Sequence, residues 1–211
     1  MSQLIVVDTG FANFRSVERA LEAAARGSRN TPNIERTADP ERIAAADRLV
    51  VPGQGAFADC SRALSGATGE AVLEQLKRGR PFLGICLGLQ VLFESSEEAP
   101  GVPGLGWFAG SVRRLTRTPS VKIPHMGWNS LNLQHSGHPC LEAAGGQGSW
   151  FYFVHSYHAV PRDETLVKAS VTHGENTVTA AVARDNVLAT QFHPEKSQAA
   201  GIKLLTRFLA L

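Results

Sequence analysis

Three short apolar runs, continuous rather than alternating and each stopped by turn residues, limit what this chain can fold into. Leu4-Ile5-Val6-Val7 ends at Asp8-Thr9-Gly10, Arg48-Leu49-Val50-Val51 ends at Pro52-Gly53-Gln54-Gly55, and Pro81-Phe82-Leu83-Gly84-Ile85 runs into Cys86. A strand wetted on one face alternates apolar and polar residues. A continuous run belongs to a strand covered on both faces, as in a parallel sheet between helical layers. Helical periodicity falls between these runs. It is strongest over 16–25, where Val17, Ala20, Leu21 and Ala24 share a stripe, and recurs over 56–64, over 71–77 before Gly79, and over 87–93. Strand, helix, strand, helix at this spacing predicts an α/β fold.

From about Trp107 the texture changes. The segments 150–154, 165–172, 177–183 and 187–192 are β-rich, with hairpin turns expected at Gly174-Glu175-Asn176 and Arg184-Asp185-Asn186. A final helix follows, with Ser197 as its expected N-cap and Ile202, Leu205, Phe208 and Leu209 on its apolar stripe. No flexible linker and no internal repeat separates the halves. The expected architecture is one domain over 1–211, a parallel N-terminal sheet extended by antiparallel strands.

Composition narrows the function. Twenty-one Lys+Arg against nineteen Asp+Glu leave a net charge of +2, and without a basic block this favours neither nucleic acid nor an acidic membrane surface. No apolar run is long enough to span a bilayer, and Met1-Ser2-Gln3 lacks the basic start of a signal peptide. The three cysteines, an odd number, suit reduced thiols in the cytoplasm.

One of those cysteines stands apart. Gly84-Ile85-Cys86-Leu87-Gly88 sits where a strand must turn sharply into a helix, which holds a nucleophile proud of the sheet. The helix start favours a thiolate, and the Leu87 amide can face a developing oxyanion. A base is then required. Gln191-Phe192-His193-Pro194-Glu195 supplies one at the end of a predicted strand, with Glu195 placed to fix the tautomer of His193. The glycine loop 52–55 can aim backbone amides at an anion, although it matches no phosphate-loop pattern. His135, His138 and Cys140 lie close together but lack a fourth ligand at zinc-site spacing, so no metal site is expected; Cys60 and Cys140 have no base nearby and are expected to be inert.

Taken together, the Cys86 elbow, the 52–55 loop and His193-Pro194-Glu195 resemble those of the class I (triad) glutamine amidotransferases, whose fold is a three-layer α/β sandwich. Further segments resemble the glutaminase subunits of imidazole glycerol phosphate synthases: Ile5-Val6-Val7-Asp8-Thr9-Gly10 with Asn13, Lys122-Ile123-Pro124-His125-Met126-Gly127-Trp128-Asn129, and Tyr152-Phe153-Val154-His155-Ser156-Tyr157. The resemblance runs from residue 4 into the last helix. Thr9, Ala12, Phe14 and Gln54 depart from the family's usual residues.

The resemblance implies hydrolysis of L-glutamine to glutamate and ammonia, with no cofactor and no metal. Ammonia would pass to a partner cyclase, a (β/α)8 barrel that makes imidazole glycerol phosphate and aminoimidazole carboxamide ribotide. It assigns Cys86, His193 and Glu195 to catalysis, and the amides of Leu87 and of Gly53 or Gln54 to the oxyanion hole. Gln90, Glu98, His155 and Ser156 would hold glutamine. Asn13, Met126, Gly127, Trp128, Asn129 and Lys196 would face the cyclase in a heterodimer. It also implies low activity for the free chain, with the 52–55 loop as the switch. A free-standing γ-glutamyl or cysteine peptidase would leave the 124–129 segment unexplained. A catalytically silent binding module would leave the Cys86, His193 and Glu195 set unexplained.

Overall fold

The computed structural model describes residues 2–26, 31–118, 121–134 and 137–211. Thirteen strands are present among them: β1 (Gln3–Val7), β2 (Asn33–Thr37), β3 (Arg48–Gly53), β4 (Phe82–Cys86), β5 (Phe93–Ser96), β6 (Phe108–Arg114), β7 (His125–Ser130), β8 (Asn132–Leu133), β9 (Trp150–His155), β10 (Tyr157–Pro161), β11 (Val167–His173), β12 (Asn176–Arg184) and β13 (Val187–Thr190). The helices are α1 (Phe14–Ala25), α2 (Pro40–Ala44), α3 (Phe57–Ala63), α4 (Gly66–Lys77), α5 (Leu87–Gln90), α6 (Pro139–Ala143) and α7 (Gln198–Leu209).

The main sheet runs β2-β1-β3-β4-β13-β12-β11-β8. Its first five strands are mutually parallel and the rest antiparallel. The apolar runs explain the layering. Successive side chains of a strand point to opposite faces, so Leu4, Val6, Val50, Leu83 and Ile85 join one core while Ile5, Val7, Leu49, Val51 and Phe82 join another. The first core is closed by Val17 and Leu21 of α1 and by Leu204, Leu205 and Phe208 of α7. The second is closed by Ile43 of α2, Phe57 and Cys60 of α3, and Val72 and Leu76 of α4, with Phe108 and Val112 of β6. The result is a three-layer sandwich. Two small sheets, β10-β6-β5 and β7-β9, flank it.

Several expectations are corrected. β13, the last strand, does not extend the antiparallel half: it inserts beside β4 and runs parallel to it, with Thr190 level with Ile85. Trp150–His155 pairs with His125–Ser130 in a separate ribbon, outside the main sheet. The helix expected over 87–93 stops at Gln90, because Phe93 opens β5 and pairs with Phe108. Ser197 stands at the start of α7 without a side-chain capping bond; its hydroxyl donates to His193 O at 2.6 Å and accepts from Tyr152 N at 3.0 Å. Both predicted hairpins form, pairing His173 with Asn176 and Arg184 with Val187. No described helix is long and apolar enough to cross a membrane.

Candidate active site

Cys86 closes β4 with φ 57° and ψ −105°, a left-handed conformation that a residue bearing a Cβ adopts only under constraint. The constraint comes from the two flanking glycines. A Cβ on Gly84 would lie 2.5 Å from Gly88 O, and one on Gly88 would overlap the carbonyl of Val51. Neither glycine has a positive φ. Both are required because strand β3, strand β4 and α5 approach one another with no room for a side chain, and that approach forces the turn onto Cys86.

The parallel insertion of β13 brings His193, the base expected from the sequence, to the same sheet edge as Cys86. After β13, His193 stands at the N-cap of a one-turn 3₁₀ helix, Pro194–Lys196, that carries Glu195. His193 Nδ1 stands 2.7 Å from Glu195 Oε1, with both side chains almost wholly out of solvent. The turn is tied to the outer ribbon, since His193 N donates to Tyr152 O at 3.0 Å and Ser197 bridges His193 and Tyr152. Three buried side-chain polar atoms without a partner lie here, His193 Nε2, Glu195 Oε2 and Gln90 Oε1. Buried polar groups without a partner are uncommon in native folds, and three of them around one cleft point to a ligand or a reacting group there.

A cleft of about 430 Å³ opens over Cys86. It brings together Gln54, Leu87, Gln90, Glu98, His155, Ser156 and His193 of the sequence-predicted residues. Lys196, expected at an interface, also lines it. Gly53 lies behind the cleft, level with Cys86 on β3, where a Cβ would meet Leu87 Cβ at 2.6 Å. Leu87 is the first residue of α5, so its amide has no acceptor within the helix. The Gln54 amide is committed elsewhere: it donates to Phe11 O at 2.7 Å. Thr9 holds the same loop from below, its hydroxyl donating to Pro52 O at 3.2 Å. Glu98 accepts from Phe57 N at 2.9 Å and so caps α3.

The remaining residues lie outside the cleft. Asn13 caps α1, accepting from Ser16 N at 3.3 Å. Met126 and Trp128 are 63% and 43% exposed, which excludes a core role for either. They share the outer face of the β7-β9 ribbon with their cross-strand partners Val154 and Tyr152. Gly127 has φ 128°. Asn129 donates to Thr172 O at 2.9 Å. Cys60 and Cys140 are buried free thiols whose pKa values burial pushes up, to about 12 and about 11. His135 lies outside the described residues, and no metal-binding group of three or more is found among those described.

Sequence reasoning gave no role to His125, Tyr157 or Gln191, which link to the predicted His155 and Gln90. His125 Nδ1 stands 3.0 Å from His155 Nε2, and His155 Nδ1 stands 2.9 Å from Tyr157 O. A carbonyl only accepts, so His155 carries its proton on Nδ1 and His125 donates to it from Nδ1. Gln90 Nε2 donates to the same Tyr157 carbonyl and to Gln191 Oε1, both at 3.0 Å, and Gln191 Nε2 reaches Cys86 Sγ at 3.6 Å. The motifs that contain these residues do not show which of them touch, so only the fold reveals this chain.

The histidines set the pH response. Burial, reinforced by the charge of His173, lowers the pKa of His125 to about 4. Burial lowers that of His155 to about 3, and that of His138 to about 4. Below the ordinary value of 6.5 the unfolded chain therefore binds protons that the folded chain refuses, and stability falls as the pH drops towards 4. His193 behaves oppositely. Burial alone would lower its pKa, but the neighbouring Cys86 and Glu195, the latter hydrogen-bonded to Nδ1, raise it to about 10. Its contribution is complete below 6.5 and is lost as the pH rises towards 10. Thermal unfolding monitored from pH 4 to 10 is expected to give a midpoint that peaks near neutrality and falls on both sides. In Cys86→Ala the alkaline fall should shrink.

Comparison with known proteins agrees with this geometry. The class-I glutamine amidotransferase family model matches residues 5–210. A chain from the crystal structure of a glutamine amidotransferase superposes with a TM-score of 0.67 at 20% identity, covering 98% of this chain and 99% of its own. One from the structure of PurLQS of Thermotoga maritima gives 0.73 at 20% identity, covering 99% and 98%. Similarity at that identity speaks for the fold alone. The imidazole glycerol phosphate synthase subunit HisH of Rhodospirillum rubrum is 48% identical over 98% of both chains. That of Thermosynechococcus vestitus is 49% identical over 99% of this chain and 96% of its own. The chain belongs to the class-I glutamine amidotransferases and, among them, to the HisH subunits of imidazole glycerol phosphate synthase.

Proposed function

We propose that this chain hydrolyses L-glutamine to L-glutamate and ammonia through a thioester on Cys86, and hands the ammonia to a (β/α)8-barrel cyclase subunit for histidine biosynthesis. The observation that carries the reading is a cysteine on a strained turn at the floor of a cleft whose wall holds His193 backed by Glu195. The Cys86 sulfur attacks the carboxamide carbon, and the carbon–nitrogen bond breaks as His193 gives its proton to the departing ammonia. His193 then takes a proton from water, which attacks the thioester, releases glutamate and regenerates the thiol. Gln90, Glu98, His155 and Ser156 hold the amino-acid end of the substrate.

The 52–55 loop is the switch. A carbonyl turning into an oxyanion needs two donors, and the Gln54 amide is spent on Phe11 O. Turning one peptide of the loop frees a donor beside the Leu87 amide, and the cyclase drives that turn by docking on the Met126 and Trp128 face. Glutamate release should be low for the chain alone, and highest with the cyclase and its nucleotide ligand. Equal release in all mixtures would point to a free-standing hydrolase. Absence of release in every mixture would remove the glutaminase reading.

Glu195→Gln keeps the size of the side chain but leaves His193 with an amide partner, and an amide can hold the wrong tautomer. A fall in kcat of roughly 10²–10⁴-fold is expected, with KM for glutamine little changed. Steady-state glutamate release with the cyclase present measures it.

A further inference from the structure

Gln191 touches the nucleophile, yet the reaction described above gives it no part. It is fully buried. It follows β13 directly, one residue past Thr190, which is level with Ile85, and so stands beside Cys86. Its Nε2 lies 3.6 Å from Cys86 Sγ and its Oε1 lies 3.0 Å from Gln90 Nε2. Tyr157 fixes which end of each amide is which. Its backbone carbonyl can only accept, so the end of Gln90 that lies 3.0 Å from it is the NH2 group. That same NH2 faces Gln191, whose atom there must be the acceptor, and the Gln191 NH2 is left for the sulfur. Gln90 Oε1 then remains buried and unpaired in a residue that lines the cleft. An apolar side chain of similar size would fill this space without any polar demand, so burial alone does not call for glutamine.

We propose that Gln191 is a positioning residue: its N–H holds the Cys86 sulfur in place and favours the thiolate, while its carbonyl locks Gln90 with a free acceptor for the substrate. The second half rests on the glutaminase reading; the first concerns the thiol alone. Gln191→Glu keeps an acceptor for Gln90 but puts a carboxylate oxygen where the donor was. Gln191→Met removes both functions.

The test follows Cys86 alkylation by iodoacetamide against pH, with Cys86→Ala as the background for Cys60 and Cys140. Kinetics of glutamate release with the cyclase and urea unfolding accompany it. In Gln191→Met the alkylation profile should move up by about one pH unit, kcat should fall roughly ten- to a hundredfold, and KM should rise. In Gln191→Glu kcat should fall as far, with KM near that of the parent. Gln191→Met decides the matter if the glutamate variant does not fold. A Gln191→Met protein with the parent's urea midpoint, alkylation profile and kcat would overturn the proposal. A parent without glutamate release would defeat the glutaminase reading, while the alkylation profiles would still decide the role of Gln191 at the thiol.

Discussion

Replacing Cys86 by alanine is expected to reduce glutamate release by roughly 10⁴-fold or more, since a nucleophile and its base act as one unit. The fold should survive, because Cys86 contributes little apolar volume at the base of the cleft. Cys86→Gly separates chemistry from strain. It removes the same thiol, but it also removes the Cβ from a backbone with φ 57° and ψ −105°. A residue held in such a conformation costs about 1–3 kcal/mol. The glycine variant should therefore unfold at a higher urea concentration than the alanine variant, with both equally inactive. Identical urea midpoints would mean that the turn is not strained.

Gly88→Ala is expected to have the largest effect on stability, about 3 kcal/mol or more. The new Cβ would overlap the Val51 carbonyl, and the atoms it meets are backbone, which no side-chain rotation can move aside. The strand that must yield, β3, leads into the 52–55 loop, so the surviving folded protein should also lose activity. Gly79→Ala is the control. Gly79, unlike Gly88, has a positive φ, 74°, and a Cβ there meets nothing within 4 Å. Its cost should stay near 1 kcal/mol. Urea denaturation of both variants tests the contrast. Equal midpoints would show that the Gly84–Gly88 motif serves backbone freedom rather than close approach.

Much of the molecule was legible in the sequence because continuous apolar runs leave few choices. β1, β3 and β4 declared themselves as strands buried on both faces, and the residues that stopped them placed Cys86 and the 52–55 loop on one sheet edge. β2 did not. Its Asn-Ile-Glu-Arg-Thr sequence pairs with β1 on one side only and needs no apolar run. The apolar stretch after Cys86 could be helix or strand, and its length could not show that the chain leaves α5 at Gln90 to begin β5 at Phe93. Nor could the run near residue 190 reveal its direction. Running parallel to β4 rather than antiparallel, it delivers His193 to the cleft that holds Cys86 and also sets Gln191 against the sulfur. The first consequence was read from the His-Pro-Glu motif; the second depends on strand order, which no single segment encodes.

The central claim is that Cys86 is the atom that takes up the glutamyl group. A diazoketone analogue of glutamine, incubated with the chain and the cyclase and followed by peptide mass spectrometry, tests it most directly. The account predicts one adduct, on the peptide bearing Cys86, prevented by excess glutamine and formed faster with the cyclase present. Labelling of Cys60 or Cys140 instead, or glutamate release undiminished after Cys86 is fully labelled, would contradict it.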